Sequence, residues 1–180
     1  AAVALGMLMI LVFMAGVNAL QARAQHSAWR YDLFTAEDNQ KPIDGVAPLK
    51  AKIATDGNLN KWQNESITTV SLRAGGATSP QLAGLPTPKN GEYYVSGGLA
   101  KVIQVHPKDN IGSRFGSKQI GIIPEALSTS PDSLEAIRGM SEQEANSGRV
   151  FSIYKFPSST EAVTRYSGSV GVILIFGASI

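Results

Sequence analysis

Side chains able to carry out chemistry are few and scattered along this chain of 180 residues. Cysteine is absent, which excludes disulfides, thiol catalysis and cysteine-based zinc sites. The two histidines, His26 and His106, are not arranged with a serine and an acid in a pattern that indicates a catalytic triad. The sequence therefore predicts a protein that is not an enzyme, with no catalytic, metal or cofactor site.

Two further patterns suggest chemistry at first sight. Residues 111–118 hold two glycines and a lysine, but they lack the spacing of a phosphate-binding loop. Four carboxylates, those of Asp132, Glu135, Glu142 and Glu144, surround one predicted helical region. Solvated helix faces explain them better than acid/base pairs do, so we expect them to be exposed.

Charge and aromatic residues narrow the choice of ligand. Sixteen Lys and Arg against fourteen Asp and Glu give a net charge of +2, and the cations are scattered. A nucleic-acid partner is therefore not expected. A shallow carbohydrate site built from Tyr93, Tyr94 and Trp62 stays open as an alternative.

The clearest element is an apolar segment at the N-terminal end. Residues 1–20 contain no charged side chain and only one strongly polar one, Asn18. As a helix they would span about 30 Å, the thickness of the hydrocarbon core of a bilayer. Beyond them Ala22, Trp29 and Leu33 recur on one helical stripe, which is expected to pack on the following domain.

These patterns divide the chain into three parts. We expect a transmembrane or filament-core helix over residues 1–22, its amphipathic continuation over 23–38, and an extracytoplasmic α+β domain over 39–180. One interpretation is that a basic leader has been removed before Ala1. Another is a secretory signal peptide cleaved after Ala24, which would release a soluble domain.

The fold class predicted for the whole is α+β, with the long N-terminal helix packed on a small, mostly antiparallel sheet with short helices. A β-hairpin is expected around Ser96-Gly97-Gly98, a helix capped by Ser130, and a capping box formed by Ser141 and Glu144. Strands are predicted at residues 67–72, 93–95, 99–105, 119–123, 149–156 and 170–176. A short helix is predicted over residues 158–166.

This layout resembles the type IV pilin family, and the resemblance is carried by residues 1–35. It implies a structural subunit that sits in the inner membrane before it polymerises into a surface filament. At the fifth position, where pilins usually carry Glu, this chain has Leu5. The residues expected to mediate helix packing and assembly are Ala1, Ala4, Leu5, Gly6, Leu8, Leu11, Phe13, Ala15, Gly16 and Leu20.

Two other roles stay open beside the filament subunit. The layout is also similar to that of small membrane-anchored accessory proteins of type IVb pilus operons, which would make the protein a single-pass scaffold. A secreted binding domain is the third. The expected partners are accordingly further copies of the chain or other pilus or secretion components, together with the membrane.

Overall fold

A computed structural model describes residues 7, 12–16, 42–54, 61–82 and 84–156. Their centre is a mixed sheet of six strands in the order β6-β5-β7-β4-β1-β8. Its strands are β1 (Leu49–Ala54), β4 (Thr68–Ala74), β5 (Glu92–Val95), β6 (Lys118–Ile122), β7 (Glu135–Gly139) and β8 (Phe151–Ile153). A separate two-stranded ribbon consists of β2 (Lys61–Trp62) and β3 (Glu65–Ser66).

The helices are short. α1 spans Gly97–Val105 and α2 spans Glu142–Ala145. Three 3-10 turns cover Pro107–Asp109, Ile111–Arg114 and Glu125–Leu127. The polypeptide from β5 to β6 runs through α1 and the first two turns, and it returns parallel to β5.

The sheet buries apolar side chains on both faces. One core cluster includes Leu49, Val70, Ile137 and Ile153, which are contributed by neighbouring strands. The other lies on the opposite face, between β5, β7, α1 and the 3-10 turns, and it includes Val95, Leu99, Ile111, Phe115 and Ala136. Because strand side chains alternate between faces, the central strands are buried on both sides.

The predicted fold class is wrong. The sheet is mixed rather than mostly antiparallel, because β4 pairs in parallel with β7 and β5 in parallel with β6. Within the described residues no helix is both long and apolar enough to cross a membrane. The longest run of helical residues within the described ranges is α1, of nine residues. Most of the helix predicted over residues 1–38 falls outside the described ranges, within which residues 7 and 12–16 are helical.

The predicted hairpin around Ser96-Gly97-Gly98 is also wrong, because α1 replaces its second strand. The Ser96 side chain caps this helix by accepting a hydrogen bond from the Leu99 N–H. Gly98 fits closely against the next segment, since a Cβ there would lie 2.6 Å from the backbone of Asp132. Leu99, Val102 and Ile103 recur at helical spacing and face the core.

The helix predicted to begin after Ser130 is absent from the described residues, and β7 lies there instead. Glu135 to Gly139 are central in the sheet, between β5 and β4. Gly139 is required at the end of this strand, since a Cβ there would overlap the Lys89 carbonyl oxygen. Tertiary pairing has overridden the local Ser-Pro helix signal.

Other local predictions are confirmed. Observed strands overlap the predicted ranges 67–72, 93–95, 119–123 and 149–156 with ends that differ by one or two residues, except that the last strand is only three residues long. The capping box is present with both of its hydrogen bonds, between Ser141 and Glu144. The strand predicted at residues 170–176 and the helix at 158–166 lie outside the described residues.

Candidate functional site

The helical residues near the N-terminal end expose apolar side chains. Val12, Phe13 and Met14 are 65%, 68% and 59% exposed, and Met7 is exposed to a similar degree. Consecutive residues of a helix point about 100° apart, so the three adjacent side chains cover more than half of its circumference. None of them is covered by the sheet domain. Lipid or another protein chain would have to cover them to remove this surface from water.

Only part of the predicted assembly set lies in the described ranges. Phe13, Ala15 and Gly16 are helical and exposed, and a Cβ built on Gly16 would meet no atom within 4 Å. The other assembly residues and the helix-packing residues lie outside the described ranges; they are Ala1, Ala4, Leu5, Gly6, Leu8, Leu11, Leu20, Ala22, Trp29 and Leu33.

A second candidate surface is one face of the sheet, where four cationic side chains meet. Lys50 on β1 pairs directly with Arg73 on β4. Lys52 pairs with Ser71, which in turn pairs with Arg138 on β7. Paired residues share a face, so these cations form two adjacent cross-strand rows. We call Lys50, Lys52, Arg73 and Arg138 the basic face.

The short helix α2 lies against the basic face and supplies two carboxylates to it. Arg138 forms an ion pair with Glu144, with 2.6 Å between Nη2 and Oε1, and Arg73 lies 3.5 Å from Glu142. Lys50 instead donates to neutral oxygens, at 3.2 Å to Asn146 Oδ1. The hydrogen bonds from Arg138 hold the pKa of Glu144 below its ordinary value, against the opposing effect of burial.

The carbohydrate site considered from the sequence is not formed. Tyr93 and Tyr94 are both buried and belong to different core clusters on opposite faces of the sheet. Burial raises the pKa of both phenols. Trp62 packs at the edge of one of these clusters. The three rings therefore cannot present a common stacking platform.

His106 follows the last residue of α1, the helix that replaces the strand predicted over residues 99–105. Its ring stacks in a tilted geometry on Trp62, with 5.0 Å between the ring centroids. The Trp62 indole N–H donates to Asp109 at 3.3 Å. These contacts join the β2–β3 ribbon to the end of α1, which is a structural role.

One carboxylate predicted to be exposed is buried. Glu135 is 3% exposed, and its side chain accepts hydrogen bonds from the Ser128 hydroxyl at 3.0 Å and the Thr129 N–H at 3.1 Å. Ser96 joins the same region, because its oxygen accepts from the Glu135 N–H and its hydroxyl donates to the Ser133 carbonyl. The network ties α1, the 128–133 loop and β7 together and leaves no free nucleophile–base pair.

The basic face is not among the features predicted from the sequence, although the sequence contains a signal for it. Residues 49–54 read LKAKIA, in which lysines alternate with apolar residues as expected for a strand with one polar face. The convergence with Arg73 and Arg138 depends on strand pairing. No group of three or more His, Asp or Glu side chains in the described part of the chain could hold a metal ion.

No family model, no curated protein and no solved structure matches this chain.

Proposed function

We propose that this protein is a non-catalytic structural component of an envelope assembly of the type IV pilus kind. It is held in the membrane by its apolar N-terminal residues, and its sheet domain serves as a docking module outside the cytoplasm. This is the role of a single-pass accessory or scaffold protein.

The observation that carries the proposal is the exposure of Val12, Phe13 and Met14 on a helical segment. They belong to a run of uncharged residues, 1–20, whose length matches that of a membrane-spanning helix. Three adjacent exposed apolar side chains favour attachment to a membrane or to another chain over a free soluble domain. The four cations that cluster on the basic face support a binding role.

A second candidate is a filament subunit that polymerises through the same residues. It is favoured by Ala15 and Gly16, which are exposed beside the large apolar side chains. Small residues let helices approach closely, both in lipid and in a bundle of identical helices. A filament built in this way would use heterologous contacts that do not close into a ring.

The test is fractionation of the native protein from cell envelopes and from sheared cell surface, followed by N-terminal sequencing of each fraction. We expect the protein in membranes after an alkaline carbonate wash and its release by detergent. Recovery as sedimenting polymer from the sheared fraction would favour the filament subunit over the scaffold. Recovery as a soluble chain beginning near Gln25 would refute both.

A pair of variants sharpens the experiment. Phe13→Lys is expected to release part of the protein into the carbonate wash, because a charge in a hydrocarbon core costs about 3 kcal/mol. Val105→Lys is the matched control, because Val105 is 70% exposed but lies on α1 in the sheet domain. Equal release of both variants would show non-specific adsorption and contradict the proposal.

A further inference from the structure

The basic face carries more positive charge than its surroundings neutralise. Within the described residues, Glu142 and Glu144 supply the only carboxylates in ion-pair contact with its four cations. Lys50 is satisfied by neutral oxygens of Ala145 and Asn146. Half-buried Lys52 forms no ion pair or side-chain hydrogen bond with any residue that the structure describes. Holding a lysine partly out of water without an anion is unfavourable.

A hydrogen-bond donor without an acceptor lies beside this lysine. Thr69 pairs with Ala54 two residues beyond Lys52, so its side chain lies on the same face. It is 3% exposed, and its Oγ1 has no hydrogen-bond partner. The Lys52 ammonium, which has no anion partner, and the Thr69 hydroxyl, which has no acceptor, thus belong to neighbouring positions of the same face. The Thr69 hydroxyl is shielded from solvent, whereas the Lys52 side chain is only half-buried, so an anionic oxygen that approaches from outside would bind the lysine.

Within the described residues, strand pairing on the outer side of β1 ends before Lys52. β1 has six residues, but β8 pairs only with Leu49 to Ala51. Among the described residues, no strand pairs with Lys52 to Ala54 on the side away from β4. An extended segment added there would make main-chain hydrogen bonds, and its alternate side chains would lie over the basic face.

The contacts of α2 show which chemistry the face accepts. This helix places two carboxylates, two residues apart, on Arg73 and Arg138. Within the described residues, no carboxylate forms an equivalent ion pair with Lys52. We propose that the edge of β1 at Lys52–Ala54 docks an extended acidic segment of a partner protein, whose carboxylate binds Lys52. This inference deepens the proposed function, on which it rests, by giving the chemistry of the partner.

The test uses the full chain in detergent micelles and a short fluorescein-labelled peptide in which glutamate and valine alternate. We expect a rise in fluorescence anisotropy that weakens with added sodium chloride, and no binding of the same peptide with glutamine in place of glutamate. Lys52→Gln should weaken binding about fivefold, the effect of losing one charge pair. Lys108→Gln, which removes an exposed lysine on a 3-10 turn, is the matched control and should bind as the wild type does.

Several outcomes would overturn the inference. One is that the peptide does not bind. Another is that Lys52→Gln and Lys108→Gln weaken peptide binding equally, and a third is that the glutamine peptide binds as well as the glutamate peptide. Binding to vesicles of anionic lipid in place of the peptide would also overturn it, since the face would then recognise a membrane. Retention of Lys52→Gln in the carbonate-washed membrane is a separate readout, so failure here is distinguishable from failure of the proposed function.

Discussion

Arg138 on β7 and Glu144 on α2 approach more closely than any other ion pair in the described part of the chain, with 2.6 Å between Nη2 and Oε1. The same carboxylate accepts the Ser141 N–H at 2.8 Å and so completes the capping box. One side chain therefore both begins α2 and attaches it to the sheet. The capping box is readable from the sequence, whereas the attachment is not.

The free energy of unfolding should depend on pH through the ionisation of the Glu144 carboxylate. The pKa of Glu144 is lowered from its ordinary value of 4.5 by hydrogen bonds from Arg138 and Ser141. The folded protein thus binds this proton more weakly than the unfolded chain does, and the contribution is present above pH 4.5 and lost as the pH falls through the lower folded value. Glu144→Gln should reduce stability at neutral pH and flatten its loss below pH 4.5, as measured by urea unfolding.

Glu142→Gln is the control for the titration. Glu142 lies 3.5 Å from Arg73 and its side chain is 78% exposed, so its removal should change the unfolding free energy little. An equal effect of both substitutions would contradict a special role for Glu144.

Gly98 should not tolerate a side chain. A Cβ there would lie 2.6 Å from the Asp132 carbonyl, which is backbone and cannot rotate away. Gly98→Ala should cost about 1–3 kcal/mol by overpacking, seen as a lower thermal midpoint. Gly97→Ala, whose Cβ would lie 3.8 Å from the nearest atom, should be neutral or slightly stabilising because alanine favours helix. Similar midpoints for the two variants would mean that the 128–133 loop yields.

Ser96 should contribute more than a helix cap. Its oxygen accepts from Leu99 and Glu135, and its hydroxyl donates to Ser133. Ser96→Ala should cost about 2 kcal/mol, the upper end for the loss of a cap. Ser96→Gly separates the helix-capping role from the hydrogen bonds with Glu135 and Ser133, since glycine costs only a few tenths of a kcal/mol at an N-cap. A near-native unfolding midpoint for Ser96→Gly would show that the bond to Glu135 contributes little.

Thr69→Val should stabilise the protein. The Thr69 hydroxyl is buried without a partner, and such a group costs about 1–3 kcal/mol relative to an apolar group of the same shape. Thr69→Ser keeps the hydroxyl and removes a buried methyl group, so it should destabilise. Chemical unfolding of the three proteins checks this order. A loss of stability in Thr69→Val would show that the hydroxyl is satisfied in solution.

Local signals were readable where they do not depend on distant residues. The capping box of α2 and the β-branched run of β4 are both found where residue type predicts them. Local signals gave wrong predictions where contacts with distant segments decide the backbone conformation. Gly97-Gly98 suggests a turn, but these glycines begin α1 and let it approach the loop before β7. Ser130-Pro131 suggests a helix, but Glu135 to Gly139 complete the sheet instead.

The sequence by itself determined the absence of cysteine chemistry and the uncharged character of residues 1–20. These are properties of composition and of near neighbours. Only the tertiary structure decided that β4 and β7 run parallel, that Glu135 is buried and that Lys52 and Arg138 share a face. Strand order and register join residues far apart in the chain, and no local periodicity encodes which strands become neighbours.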